Sequence, residues 1–229
     1  MNKDQLKIIA EAIKIFNSGG VVIFPTDTAF GIGCKIDNEE ALKKLLTIKN
    51  RPSKQALPVL ISDLEMAKKY FMTPLPAPDC VGRQAGLPKK IKKLMIDYWP
   101  GGLTIVYKAN KTISSLIKGG GENIGLRMPD NEMLLKIIEK IGVPIIGTSA
   151  NFHDKPTPYT ISEIDKRMIK QVDYVISGEC NGKLTSTVID CTQNPWKIIR
   201  QGKVKFIVRS ASWRRELNND NFSLRSKNK

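Results

Sequence analysis

Side chains able to hold an anion recur where apolar runs of this chain end. Thr26, Asp27 and Thr28 close VVIFP, and Lys49 and Arg51 follow the helical pattern EEALKKLLTIKN. Arg127 lies in IGLRMP, Ser149 and Asn151 follow VPIIGT, Ser186 and Thr187 open STVID, and Arg200 ends WKIIR. Arginine's rigid fork and lysine's compact ammonium neutralise phosphate and carboxylate groups, while hydroxyls supply short directional bonds that orient them. Such a set suits a triphosphate. Each residue also has an ordinary role. Thr and Asp shape strand-end turns, Lys49 and Arg51 complement a helix C-terminus, and single arginines stand solvated. Recurrence at several strand ends favours a ligand, because strands of one sheet can bring their tips to a common crevice.

The familiar phosphate loops are missing. In KGGGENIG the third glycine of a dinucleotide fingerprint falls on Ile124, and GECNGKL lacks both the spacing and the Ser/Thr of a P-loop. Cys34, Cys80, Cys180 and Cys191 show no C-x-x-C spacing, and His153 is the single histidine. Neither a multi-histidine zinc site nor a Ser-His-Asp triad is therefore expected. The cysteines read as buried reduced thiols.

The elements that position these residues follow from apolar spacing. Residues 4–18 set Leu6, Ile9, Ala10, Ile13 and Phe16 at helical intervals, and Gly19-Gly20 stops the helix. VVIFP, β-branched and aromatic and bounded by Gly20 and Pro25, is a buried strand, with GIGCKI a second extended piece. Asn38 caps the next helix, whose early glutamates and late lysines suit its dipole, and Pro52 forbids its continuation. LPVLI reads as a strand, SDLEMAKKYF and KKIKKLMIDYW as helices, LTIVYK as an alternating strand, and DNEMLLKIIEKIG as a helix with Asp130 at its N-cap. VPIIGTS is a further buried strand. A short helix near ISEIDKRMI and the strands VDYVIS, STVIDC, WKIIR and KFIVR complete the pattern. Alternating elements early and clustered strands late predict the α+β class, a twisted mixed sheet of parallel and antiparallel strands flanked by helices; a purely parallel sheet is the alternative. Met72 to Pro88, with four prolines and two glycines, reads as a loop or insertion.

The 229 residues, 41% hydrophobic, are enough for one domain over residues 1–211, and the basic segment 212–229 reads as a frayed tail. No apolar run approaches a membrane span and charges interrupt the N-terminal pattern, so a cytoplasmic protein without a signal peptide is expected. The formal charge of +15 implies a field that attracts nucleic acid or phosphorylated ligands. Solvated lysines and a true anion-binding face account for it equally well.

PTDTAFGIG, KNRP, PGGLT, IGLRMP, GTSAN, STVID and IIRQG occur in the order of the YrdC family, the L-threonylcarbamoyladenylate synthases, which the chain resembles over residues 5–208. K-x-R at 49–51 and S-x-N at 149–151, with PTDT before both, form a combination specific where no single piece would be. The resemblance implies a YrdC/RibB-like sheet around a deep basic hollow. It also implies a nucleotidyltransferase: ATP, L-threonine and bicarbonate give threonylcarbamoyl-AMP and pyrophosphate, the first stage of N6-threonylcarbamoyladenosine formation at tRNA position 37. A downstream threonylcarbamoyl transferase, and tRNA or another structured RNA, are the implied partners.

Carried over by position, the resemblance gives Lys49, Arg51, Ser149 and Asn151 catalytic roles facing the phosphates. It places Thr28, Arg127 and Ser186 in the threonine pocket, with Arg127 opposite the carboxylate. Arg51, Gln55, Asn123, Ser149, Thr157 and Arg200 fall on the ATP side. Magnesium (Mg2+) arrives with ATP and is held mainly by phosphate, with no protein metal site implied. Phe30 stands where the family usually has tyrosine, Gly102 replaces the second proline of PGPLT, and Asp154 falls where glycine is common; the 72–88 segment is also longer than the family pattern. Two other readings remain: an RNA-binding or ribosome-maturation module of this fold, and the sister branch resembling YciO, which lacks KNRP.

Overall fold

The computed structural model describes residues 2–72 and 86–206. Most of the proline-rich segment, the outer part of KFIVR and the tail lie outside the described residues. Helix α1 (Lys3–Asn17) starts in a capping box between Asn2 and Gln5 and buries Ile9, Ala12 and Phe16 on one face. Strand β1 (Val22–Phe24), wholly buried, leads through the 25–30 turn into β2 (Gly31–Gly33). Asn38 caps α2 (Glu39–Lys49) as its side chain predicts, and Asn50 ends the helix in the left-handed region at φ 49°. There follow β3 (Pro58–Leu60), α3 (Leu64–Tyr70), α4 (Lys89–Tyr98), β4 (Leu103–Lys108), the short α5 (Ser115–Lys118) and β5 (Asn123–Arg127).

Helix α6 (Glu132–Ile141) is capped by Asn131, not Asp130: the Asn131 side chain accepts from Leu134 N. Asp130 instead donates its backbone N–H to Asp27 at 3.1 Å. After β6 (Ile145–Ile146) and β7 (Thr148–Ser149), the ISEIDKRMI stretch forms a 3-10 turn and α7 (Lys166–Ile169), and β8 (Tyr174–Val175), β9 (Thr187–Asp190) and β10 (Lys197–Arg200) complete the elements.

The strands form mixed sheets ordered β7-β2-β1-β8 and β10-β9-β4-β5-β3-β6. One segment, 145–149, joins them. Ile145 and Ile146 pair with β3 on one side, while Ile145 bridges Lys35 and Thr148 and Ser149 pair with β2 on the other. Backbones approach too closely here for side chains. A Cβ on Gly33 would lie 1.6 Å from the Ile146 carbonyl oxygen, and one on Gly147 2.3 Å from Leu60 Cγ. The fold is thus the expected α+β class, with its mixed sheet divided at Gly147.

The register also fixes where strand ends fall. β4 runs antiparallel to β5 and parallel to β9, which runs antiparallel to β10. The start of β4, the end of β5, the start of β9 and the end of β10 therefore share one edge of the six-stranded sheet. Thr104, Arg127, Ser186 and Arg200 occupy that edge.

Candidate active site

A hollow of about 150 Å³ opens at this edge. Among its lining residues are Thr28, Arg51, Arg127, Ser149, Thr157, Ser186 and Arg200, all singled out in the sequence, and among the described residues no acidic side chain lines it. Three guanidinium groups thus meet hydroxyls from distant strands. Phe30 and Thr104 also face the space. The Phe30 ring, fully buried, leaves that part of the wall apolar where the family pattern usually supplies a phenol.

Arg127 is the most constrained of the cations. Its Nε donates to Gly101 O at 3.0 Å, Nη1 to Thr28 Oγ1 at 2.7 Å, and Nη2 to Asp27 Oδ1 in a salt bridge whose members are both buried. Burial pulls the guanidinium's pKa down and Asp27 opposes that pull. Thr26 does shape the turn, since its hydroxyl donates to Ala29 O at 2.7 Å and accepts the N–H groups of Thr28 and Ala29 at 3.1 Å. Asp27 does more than shape it. Its carboxylate binds Arg127, the Asp130 N–H and Lys203 Nζ at 3.3 Å.

Ser186 lies beside this pair. Its Oγ accepts from Thr104 Oγ1 at 2.9 Å and from Arg200 Nη2 at 3.0 Å, while Arg200 Nε donates to Ser186 O at 3.0 Å. With both bonds accepted, the serine's own proton remains to be given to a ligand. Arg200 is an exposed residue at the rim, and these two bonds fix its fork. The charge of Arg127 adds to burial in lowering its pKa.

Arg51 Nη2 donates to Ala56 O at 3.0 Å, whereas its Nε is buried with no partner among the described residues. An orphaned charged donor is costly inside a protein, and a bound anion would satisfy it. Lys49 does not line the hollow. Its ammonium is buried and donates at 2.5 Å to the carbonyls of both Ser149 and Asn151. Burial, then the Arg51 charge, brings its pKa down to about 7. Ser149 Oγ donates to Asn151 Oδ1 at 2.5 Å, and Asn151 Nδ2 binds Lys155 O. Lys49 and Asn151 thus hold the Ser149 strand tip from behind.

Gln55 and Asn123 also stand off the lining. Gln55 Nε2 contacts His153 Nε2 at 3.2 Å. Asn123 is at the opposite end of β5 from Arg127, about 13 Å along the strand, and pairs with Lys108. Asp154 adopts φ 60°, which explains why glycine would suit that position; Asp is among the residues that tolerate it. Thr104 and Lys203 were invisible as site residues, although Thr104 stands in PGGLT and Lys203 follows IIRQG.

The arrangement defines an α+β protein whose sheet edge gathers arginines and hydroxyls around an anion-sized space. This chain belongs to the Sua5_yciO_yrdC family, whose model carries the description "Telomere recombination" and matches residues 14–202. A threonylcarbamoyl-AMP synthase of Bacillus subtilis (strain 168) is 31% identical over 198 residues, covering 86% of this chain and 54% of that protein. A crystal structure of Pyrococcus abyssi Sua5 complexed with L-threonine superposes with a TM-score of 0.78 at 29% identity, covering 88% of this chain and 56% of that one. This chain therefore spans a little over half the length of both relatives. Escherichia coli YciO superposes with a TM-score of 0.74 at 28% identity over 88% of this chain and 91% of its own. Among the described residues no helix is long and apolar enough to cross a membrane.

Proposed function

We propose that this chain makes threonylcarbamoyl-AMP from ATP, L-threonine and bicarbonate. The observation that carries this reading is the convergence of Arg51, Arg127 and Arg200 with the hydroxyls of Thr28, Ser149 and Ser186 on a hollow that no carboxylate lines among the described residues. The family, and the threonine bound to the Sua5 relative, support the choice of substrates.

The chemistry suits such a site. Threonine's amine takes up carbon dioxide from bicarbonate, releasing water overall and giving a carbamate. A carbamate oxygen then attacks the α-phosphorus, the bond from that phosphorus to the β-bridging oxygen breaks, and pyrophosphate leaves with the electron pair. Both reactants are anions, so catalysis consists chiefly of aligning them and offsetting their repulsion. A carbamate is already nucleophilic, and the scheme needs no histidine base.

In this assignment Arg127 and the free Ser186 proton receive the threonine carboxylate, and Thr28 borders the same pocket. Arg51, through its unpaired Nε, and Arg200 receive phosphate oxygens. Lys49 and Asn151 keep Ser149 in place. Magnesium fits as a partner of the triphosphate: among the described residues the lining offers hydroxyls and no carboxylate, a donor set suited to a metal carried mainly on phosphate. The product would pass to a threonylcarbamoyl transferase that modifies tRNA.

The test is incubation with ATP, L-threonine and labelled bicarbonate, followed by detection of pyrophosphate and the labelled acyl-adenylate. Both products should require threonine. Their absence from the folded protein would reject the synthase, and salt-sensitive RNA binding in its place would support the RNA module.

A further inference from the structure

We infer that Lys203 is a positioning residue for the amino-acid pocket, holding the Asp27 carboxylate against Arg127 and adding to the positive charge by which that pocket attracts a carboxylate. The inference rests on the synthase reading above and concerns a residue outside the motifs that carry it.

Arg127 and Asp27 are both shielded from water, with side-chain exposures of 8% and 2%. Taken alone they form a neutral pair, which attracts a third, negative group only weakly because the field of one partner offsets the other. Lys203 changes that balance. Its ammonium lies 2.9 Å from Asp27 O and 3.3 Å from Asp27 Oδ2. Two cations now share one carboxylate, and the cluster carries a charge of about +1 in a partly desolvated site, where charge acts strongly. Geometry follows the same logic. Asp27 Oδ1 is taken by Arg127 and the Asp130 N–H, and Oδ2 by Lys203, so both oxygens are engaged and the carboxylate is held against the arginine.

The departure at Gly102 accommodates this lysine. A Cβ at position 102 would lie 2.9 Å from Lys203 Cβ, 3.0 Å from Cδ and 3.2 Å from Cγ. Neither backbone yields easily. Gly102 O accepts Thr187 N at 2.9 Å, and Lys203 N donates to Thr185 O at 2.9 Å, both along the wall that carries Ser186. Gly102 and Lys203 therefore belong together: the missing side chain of one is the space used by the stem of the other.

The experiment compares steady-state kinetics of wild type, Lys203→Met, Lys203→Arg and Gly102→Ala, varying threonine and ATP separately. Lys203 is 39% exposed in its side chain, and Met keeps most of its stem, so folded protein is expected. Lys203→Met should raise KM for threonine about tenfold or more, the effect of losing one charge-assisted interaction, with KM for ATP within about twofold and kcat little changed. Lys203→Arg should recover most of the loss. Gly102→Ala should shift KM for threonine the same way, and serves as the test if the Met variant is unstable. Equal threonine KM in wild type, Lys203→Met and Gly102→Ala would overturn the role of Lys203, as would parallel changes in kcat and in both KM values. A wild type with no threonine-dependent turnover would overturn the synthase reading instead, and this inference with it.

Discussion

Asp27→Asn removes the carboxylate facing Arg127 while keeping its shape, and the structure sets the size of the effect. The arginine is almost fully shielded and keeps bonds to Gly101 O and Thr28 Oγ1, but neither neutralises its charge. Removing one partner of a buried pair costs about 3–5 kcal/mol because the other is left uncompensated. Lys203 adds little to that figure, since it can turn to water. In a domain of this size each kcal/mol moves Tm by about 2–4 °C, so the variant should melt about 6–20 °C below wild type. Thermal unfolding followed by circular dichroism would measure this, alongside Arg127→Met and the double variant. The double variant should lie closer to wild type than the two single losses added together, because no buried charge is then stranded. An Asp27→Asn protein melting within about 1 °C of wild type, or strictly additive losses, would refute the reasoning.

Arg51→Ala should lower turnover at least about tenfold in a folded protein, measured as pyrophosphate release, because the guanidinium with the unsatisfied Nε is lost from the phosphate side; unchanged turnover would reject that role. Lys49 titrates low in the fold, at about 7 against 10.5 unfolded, so the unfolded chain binds more protons between those values and stability should rise with pH across that window. The penalty is complete below about pH 7, and denaturant titrations of wild type against Lys49→Met should show the difference; parallel pH dependences would contradict it. Gly33→Ala should prevent accumulation of soluble folded protein, because its Cβ would fall 1.6 Å from a backbone oxygen, and a variant with native-like melting would show that the β2–β6 contact is looser than described.

Much of the site was legible because its residues lie in short local patterns. A hydroxyl or arginine at the end of an apolar run says where a strand stops, and Thr28, Arg127, Ser186 and Arg200 do share one sheet edge. What the sequence hides is partnership across distance. Asp27 precedes Arg127 by 100 residues and Lys203 by 176, and no periodicity connects them. Lys49 looks like an ordinary helix-end lysine, since helical spacing does not reveal that the chain returns at Ser149 and Asn151 to cover it. Asp130 and Asn131 are adjacent and equally able to cap, and only the folded chain shows that the helix starts after Asn131, whose side chain accepts from Leu134 N. The break of VPIIGTS at Gly147 was also hidden, because a glycine inside an apolar run does not say that the strand passes between two sheets.

The central claim is that nucleotide and amino acid meet in this hollow. It is tested most directly by a crystal structure of the protein with L-threonine and a non-hydrolysable ATP analogue. The threonine carboxylate should lie within hydrogen-bonding distance of Arg127 and Ser186, with phosphate oxygens on Arg51 and Arg200. Both ligands bound at another surface, with these four side chains unengaged, would contradict it.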